Sequence, residues 1–319
     1  MPDEVRGAAP ELSAVVVVGA VRERAGDCLR SLLDQGLGDR LEVLLVDVAG
    51  AGAPPVPGSE APGVRVLERP PSTTFAQARA CGVRAARGAV VAFLEEHTRA
   101  LPGFAEALLA AHAGPYAAVG PAVVNGNPGV GRSGIAGLLA YGYFYPPCRR
   151  AEAELLPGHN SSFKRDALLA LGSDLDRLLR ADLVLHWRLR RRGLRLLVEP
   201  AAVLAHGNEV TLRSRARGIF LWYRNYAPLR AAEEGWSVAR RLAYVAATPI
   251  VPFYFLAHFS RFVARERRAY LGLLLRHLPY ALAAMLAGAA GQALGLLFGP
   301  GDAEARFSRF ELTAPRPAR

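Results

Sequence analysis

An apolar run that ends on two carboxylates and an imidazole is the feature that most constrains this fold. Residues 89–94 read Ala-Val-Val-Ala-Phe-Leu, and Glu95, Glu96 and His97 follow at once. Because the run is short, β-prone and bounded by glycine and proline, it predicts a strand that is buried on both faces. Ligands of open α/β sheets bind at the carboxyl ends of the strands. The pattern therefore indicates a ligand site at Glu95, although a solvated turn after a core strand is an alternative.

The composition is typical of a folded protein that faces the cytosol. With 319 residues, of which 51% are hydrophobic, the chain suits one large α/β domain with an appendage, and disorder is excluded. The first residues carry no apolar core, so we expect no signal peptide. Cys28, Cys81 and Cys148 share no metal-binding or redox spacing and are interpreted as buried thiols.

Positive charge is concentrated in one part of the chain. The net charge is +11, and residues 212–276 alone hold twelve arginines against three glutamates, an excess of nine positive charges. Aromatic residues are interleaved with these arginines, and long apolar runs follow them. This combination favours an anionic membrane surface as a partner and argues against nucleic acid.

Predicted strands and helices alternate along the first two thirds of the chain. Strands are predicted at 14–18, 41–47, 64–67, 89–94, 117–124 and 194–198, and helices at 24–33, 75–87, 102–112, 166–171 and 182–192. The order predicts βαβ units and an α/β fold. The first turn, at residues 19–23, lacks the G-x-G-x-x-G pattern, so a dinucleotide-binding Rossmann domain is disfavoured. Residues 125–157 are expected to form a functional loop.

Short motifs follow one another in a fixed order between about Ser13 and His206. They are Val46-Asp47, Ala78-Arg79 with Gly82, Ala86 and Gly88, Phe93 to His97, Pro102-Gly103-Phe104, Gly158 to Arg165, Asp182 with Arg188 and Gly193, and Pro200 with His206. In this order the chain resembles the inverting family 2 glycosyltransferases. The resemblance implies the GT-A fold, with a Rossmann-like βαβ arrangement and a mostly parallel mixed sheet, and a nucleotide-sugar donor.

The resemblance also implies roles for individual residues. Asp182 would be the catalytic base that deprotonates the acceptor hydroxyl. Glu95, His97 and His206 would hold a divalent metal, Mn2+ or Mg2+. The substrates would contact seven residues, namely Asp47, Arg79, Glu95, Glu96, His159, Asn160 and Arg188.

Most of these residues also have an ordinary structural explanation, which the sequence leaves open. Asp182 begins a predicted helix, where a carboxylate stabilises the fold by about 0.3–1 kcal/mol. Other members of the set are residue types that turns, cores or solvated helix faces commonly hold, namely Asp47, Arg79, His159, Asn160 and His206.

Three departures from the family pattern fall on the chemistry. Asp47-Val48 stands where the family has two aspartates, Glu95-Glu96-His97 replaces the D-x-D motif, and Ala181-Asp182 replaces a Glu-Asp pair. Each of these three positions keeps a side chain that can bind a metal or accept a proton, so an active enzyme is favoured. A degenerate GT-A protein that binds a nucleotide-sugar or a partner without turnover is the alternative.

Two apolar runs lie in the last quarter of the chain. Residues 278–298 carry no charge and would span about 32 Å as a helix at ~1.5 Å per residue, enough to cross a bilayer. Residues 242–259 contain two prolines, so we expect them to lie in the membrane interface or to re-enter the membrane. The alternative is that both runs are core helices of a soluble C-terminal domain. We predict a tail at 1–12, a GT-A domain at 13–211, a basic amphipathic connector at 212–241, membrane-associated helices at 242–300 and a tail at 301–319. A peripheral or single-span protein at the cytoplasmic membrane face, with a glycan or lipid-linked acceptor, fits this arrangement.

Overall fold

The fold is known from a computed structural model that describes residues 9–314 and Arg316. Its strands are β1 (Leu12–Val18), β2 (Leu41–Asp47), β3 (Val64–Glu68), β4 (Val90–Glu95), β5 (Thr98–Ala100), β6 (Tyr116–Asn125), β7 (Ala151–Glu152), β8 (Ser162–Lys164) and β9 (Arg195–His206). Most of the predicted N-terminal tail, and the end of the predicted C-terminal tail, lie outside the described residues.

Helices follow most of the strands. They are α1 (Arg22–Leu33), α2 (Phe75–Ala85), α3 (Phe104–His112), α4 (Ser133–Tyr141), α5 (Arg165–Leu169), α6 (Leu175–Leu178), α7 (Asp182–Arg191), α8 (Leu212–Glu233), α9 (Val238–Ala246), α10 (Val251–Glu266), α11 (Leu271–Arg276), α12 (Leu278–Phe298) and α13 (Ala303–Thr313). Short 3-10 turns occur at Gly38–Arg40, Gly142–Phe144, Gly172–Asp174 and Arg268–Tyr270.

The strands form one mixed sheet in the order β3-β2-β1-β4-β8-β6-β9-β5, and β7 also pairs with β9. Strands β1 to β4 are parallel, and β6 is parallel to β9. The short strand β8 lies antiparallel between β4 and β6. The long strands therefore all point the same way, and their carboxyl ends share one edge of the sheet.

Alternating side chains of the central strands pack against helices on both faces of the sheet. Val15 and Val17 of β1 contact the layer that contains α2 and α7, whereas Val16 and Val18 contact the layer of α1 and α3. Strand β4 is buried along its whole length. The prediction of a strand buried on both faces is confirmed, and the α/β fold class with it.

Two local predictions were wrong. Residues 125–157 contain α4 and β7, where an irregular loop was expected. A glycine in this stretch permits close packing, since a Cβ at Gly137 would lie 2.2 Å from the hydroxyl of Tyr145. The predicted tail at 301–319 contains α13, which packs on α8.

The C-terminal helices form a region of their own beside the sheet. Helix α12 lies along α8, and glycines allow the approach, because a Cβ at Gly291 would lie 2.2 Å from the carbonyl oxygen of Phe220. Among the described residues α12 is the one helix long and apolar enough to cross a membrane, and α9 with α10, bent by 72°, passes the same test as a pair. The predicted C-terminal helical region is thus present.

Candidate active site

The shared carboxyl edge of the sheet collects most of the predicted site residues. Asp47 is the last residue of β2, Glu95 of β4 and His206 of β9. Because β8 runs in the opposite direction, the residues that precede it, His159 and Asn160, reach the same edge. Strand direction therefore explains how motifs more than a hundred residues apart meet in one place.

Glu95 is the most heavily bonded residue of the site. Its carboxylate accepts a hydrogen bond from Nδ2 of Asn160 at 2.6 Å and one from the hydroxyl of Tyr141 at 3.2 Å. The backbone N–H of Glu95 donates to Oδ1 of the same Asn160 at 3.1 Å. Burial opposes ionisation, yet His97, His159 and His206 lower the pKa of Glu95, so the buried carboxylate is charged at neutral pH.

Glu95, His97 and His206 form a compact set of metal-ligand groups. One ligand atom from each lies within 4.8 Å of the others. Nε2 of His206 is 3.1 Å from Oε2 of Glu95 and 3.2 Å from Nε2 of His97. The other ring nitrogen of His206 contacts Oδ1 of Asn208 at 2.8 Å, which is how metal-binding imidazoles are usually oriented. The donor types and the spacing fit a divalent metal, and imidazole nitrogens suit a transition metal such as Mn2+ better than Mg2+.

Asp182 lies in the first turn of α7 and is linked to Glu95 through His159. Its carboxylate pairs with Arg79 at 2.7 Å and with Nε2 of His159 at 3.0 Å. Burial would raise the pKa of Asp182, but the charges of Arg79 and His159 hold it well below its usual range. In turn, although burial opposes protonation, Asp182 and Glu95 raise the pKa of His159 to about 9. A protonated His159 thus bridges two carboxylates.

His159 has a backbone conformation that is unusual for its residue type. Its φ is 65°, in the left-handed region, and it is the one non-glycine residue with positive φ in the described part of the chain. Such conformations persist where surrounding contacts enforce them, often at functional sites. Here the backbone N–H of His159 donates to Asp182 at 3.2 Å, and the ring is held between Glu95 and Asp182.

Asp47 and Glu96 are each held by an arginine of α1. Oδ2 of Asp47 is 2.5 Å from Nη2 of Arg22. Glu96 pairs with Arg24 and accepts a hydrogen bond from the backbone N–H of Gly19 at 2.9 Å. Burial raises the pKa of Glu96. Both carboxylates are thus at the predicted edge, but each is already bonded to its own chain.

The structure does not place two predicted substrate-binding residues in contact with this edge. Arg188 pairs with Glu233 at 2.7 Å and with Asp174 at 3.2 Å, so its side chain turns away toward α8. Arg79 is 1% exposed and packs over the ring of Phe93. Its buried guanidinium forms an ion pair with Asp182. The sequence pattern did not indicate this structural role.

Several residues of the site carried no sequence motif. Tyr141 and Asn208 orient the metal-ligand set, and Asn208 lay within reach of sequence reasoning because it follows His206 by two positions. Arg316 is 219 positions from His97, yet its Nη1 lies 2.7 Å from Nδ1 of that imidazole. Nothing local in the sequence indicates this contact, which only the path of α13 creates.

Three comparisons with known proteins bear on this arrangement. The model of the glycosyl transferase family 2 matches residues 13–172, half of the chain. A mannosyltransferase from Pyrobaculum calidifontis, PcManGT, solved with GDP-Man and Mn2+, is 17% identical with a TM-score of 0.54, and the match covers 91% of this chain and 88% of that one. GalNAc-T7, solved with UDP, GalNAc and Mn2+, is 15% identical with a TM-score of 0.47, and the match covers 70% of this chain.

These matches differ in what they establish. The chain spans about half the length of the GalNAc-T7 structure, 51%. No curated protein matches the sequence. The similarity to PcManGT establishes the fold, and the family model covers Asp47, Glu95 and His97. The chain therefore belongs to glycosyl transferase family 2, a family of glycosyltransferases, and has its GT-A fold.

Proposed function

We propose that the protein is an inverting glycosyltransferase that moves a sugar from a nucleotide-sugar donor to a hydroxyl group of a glycan or lipid-linked acceptor. The observation that carries the proposal is the meeting of Glu95, His97 and His206 at the carboxyl edge of the sheet. Family membership supports the reaction type. The structures of two similar proteins contain a nucleotide or nucleotide-sugar with Mn2+, which supports the donor class.

The chemistry requires a positive charge beside the leaving nucleoside diphosphate. A divalent metal supplies that charge when it is bound. Glu95, His97 and His206 would hold it, and the hydrogen bonds from Asn160 and Tyr141 fix the Glu95 carboxylate in place. Since these ligands are buried and already oriented, little rearrangement of the ligands themselves is needed for binding.

Asp182 is the proposed base for the acceptor hydroxyl. Its ion pairs with Arg79 and His159 keep the carboxylate ionised at neutral pH, and only the ionised form accepts a proton. Gly158 lies next to it, where a Cβ would be 3.4 Å from the carboxylate oxygen Oδ2. The absence of a side chain at Gly158 leaves the approach to Asp182 less crowded.

We further propose that the protein acts at the cytoplasmic face of the cell membrane as a peripheral protein. Helices α9 and α10 and the turn between them expose large apolar side chains, namely Val238, Leu242, Ile250, Phe253, Tyr254 and Phe255. Arginines lie on the same helices, and a basic apolar surface suits an anionic bilayer. Helix α12 packs along α8, whose arginines could not follow it into a bilayer, which favours surface binding over a span.

Nucleotide-dependent thermal shifts test the proposal most directly. Full-length protein would be heated with UDP, GDP or dTDP, each with Mn2+ or with EDTA. We expect one nucleotide to raise the melting temperature only when Mn2+ is present, because the diphosphate is held through the metal. The absence of a shift with every nucleotide, or equal shifts with EDTA, would contradict the proposed metal-dependent donor site.

A degenerate protein that binds a nucleotide-sugar without turnover is the second candidate. The observation in its favour is that carboxylates of the site are already paired with arginines, Asp182 with Arg79 and Glu96 with Arg24. The two candidates differ in one measurable property, since an active enzyme with bound donor hydrolyses it slowly to free sugar and nucleoside diphosphate. Donor binding without any release of nucleoside diphosphate would favour the degenerate protein.

A further inference from the structure

The C-terminal segment enters the candidate active site and takes up one of its ligand atoms. We propose that Arg316 competes with the divalent metal for His97, and that residues 303–314 with Arg316, here called the strap, cover the site until metal and donor displace them. The inference rests on the metal site proposed above. It adds a residue that sets metal affinity and that belongs to no motif of the sequence.

The competition follows from the chemistry of the two side chains. Nη1 of Arg316 lies 2.7 Å from Nδ1 of His97 and also contacts Nε2 of the same ring. A guanidinium has donors only, and a neutral imidazole has one nitrogen that accepts. Because Nη1 lies this close to both ring nitrogens, it fills the space at the edge of the ring from which a metal would approach them. Arg316 and a metal on His97 exclude each other.

Arg316 is held in this position by more than one contact. Its Nη2 is 2.9 Å from Oε2 of Glu311 and 3.7 Å from Oε1 of Glu209. The residue is only 8% exposed. A buried cation between two carboxylates indicates a specific docked state of the strap, because a loosely attached segment would leave a guanidinium in water.

The rest of the strap lies over the edge of the sheet where the donor is expected. Leu312 covers Gly19, the residue after β1, so closely that a Cβ on Gly19 would lie 2.6 Å from the Cβ of Leu312. Oγ of Ser308 accepts a hydrogen bond from the backbone N–H of Phe75 at 2.8 Å, at the start of α2. These turns flank the site of ligands in open α/β sheets, so the docked strap and a bound nucleotide compete for the same space.

On its other side the strap is attached to α8. Phe310 packs on Gly218, where a Cβ would lie 2.6 Å from the Phe310 ring. With Leu221 and Phe307 it forms a small apolar cluster that is separate from the main core. Ala303 and Ala314 belong to the same cluster, so displacement of Leu312 and Arg316 has to release Ala314, while Ala303, Phe307 and Phe310 hold the start of the strap on α8.

Mn2+ affinity of the full-length protein tests the proposal without relying on turnover. Free Mn2+ would be measured by electron paramagnetic resonance during titration of wild-type protein and Arg316→Ala. We expect the dissociation constant for Mn2+ to fall about tenfold or more in the variant, because the metal no longer has to break a charge-assisted hydrogen bond. Arg309→Ala is the matched control, since Arg309 is exposed on the same helix and carries the same charge.

A second variant covers the case in which Arg316→Ala does not fold, because that change leaves Glu311 buried and unpaired. Glu311→Gln with Arg316→Met removes both charges at once and keeps the net charge of the chain. We expect this double variant to bind Mn2+ more tightly than wild type as well. If Arg316→Ala bound Mn2+ more tightly only because a positive charge is lost, the double variant would bind Mn2+ as wild type does. That result would overturn the proposal.

The remaining outcomes separate the strap from the metal site. Equal Mn2+ affinity in wild type and both variants would overturn the role of Arg316 while leaving the metal site intact. Weaker binding in the variants would overturn it too, since Arg316 would then support the metal. If no form of the protein bound Mn2+, the proposed metal site would fail together with the inference.

Discussion

Nη2 of Arg79 lies 2.7 Å from Oδ1 of Asp182, and the two side chains are only 2% and 4% exposed. The pair joins α2, the helix that precedes β4, to the start of α7. This ion pair fixes the position of the proposed base and keeps its carboxylate ionised. It also means that Asp182 has a structural role alongside its proposed catalytic one.

Replacing the proposed base tests its role. Asp182→Asn should lower sugar transfer by about 10²-fold or more, the usual scale for a general base, while nucleotide binding is kept. Arg79→Met breaks the same ion pair but retains the carboxylate, so it should cost less transfer than Asp182→Asn. Steady-state rates with saturating donor measure both. Transfer by Asp182→Asn within a few-fold of wild type would remove Asp182 from the mechanism.

Metal preference should follow the two imidazole ligands. Mn2+ or Co2+ should activate transfer better than Mg2+, because Mg2+ prefers oxygen ligands. His97→Asp should restore activity with Mg2+, whereas His258→Asp, on the exposed face of α10, should not alter the preference. Rates with each metal after EDTA treatment give the answer. Full transfer by metal-free protein would show that no metal is needed.

The apolar surface of α9 and α10 should bind anionic bilayers. Replacing Phe253, Tyr254 and Phe255 together by serine should weaken binding to phosphatidylserine vesicles by about tenfold or more, since burying each aromatic side chain contributes about 1.5–3 kcal/mol. Phe298→Ser removes an exposed aromatic residue at the end of α12 and should have little effect. Co-sedimentation with vesicles measures binding. Equal loss in both proteins would argue against this surface.

The contact between α12 and α8 distinguishes peripheral binding from a membrane span. Gly291→Ala would place a Cβ 2.2 Å from the carbonyl oxygen of Phe220 and should lower the free energy of unfolding by about 1–3 kcal/mol. Gly272→Ala, in a helix with nothing within 4 Å, should be neutral or stabilising. Urea unfolding compares the two. If Gly291→Ala were tolerated, α12 would not be packed on α8 in solution.

Stability should fall as the pH decreases below about 6.5. Burial lowers the pKa of His112 and of His186 to about 4 each. An unfolded histidine with a pKa of about 6.5 binds a proton first, so each residue contributes stability that is present above pH 6.5 and lost toward pH 4, at most about 3 kcal/mol. Urea unfolding at pH 7 and pH 5 shows the slope. His186→Gln should reduce that slope by about one proton, and an unchanged slope would contradict the assignment.

The residues of the candidate site that could be predicted from the sequence are those at the end of a strand or directly after it. Glu95 and His97 follow a buried run, and His206 ends another strand, so a local pattern together with the rule that parallel strands share an edge predicts where they lie. Asn160 was predicted through its motif. By contrast, Arg188 has the residue type of a substrate-binding group, but its pairing with Glu233 on α8 depends on a distant helix that the motif does not describe.

The sequence by itself determined the α/β fold, the family and the residues available as metal ligands, because hydrophobic periodicity and short motifs are local properties of the chain. Tertiary structure alone decided that Arg79 is the partner of Asp182 and that Tyr141 holds Glu95. It also decided that the guanidinium of Arg316 contacts the imidazole of His97. These contacts join residues far apart in the chain, and their energies depend on burial and on direction, neither of which the order of residues records.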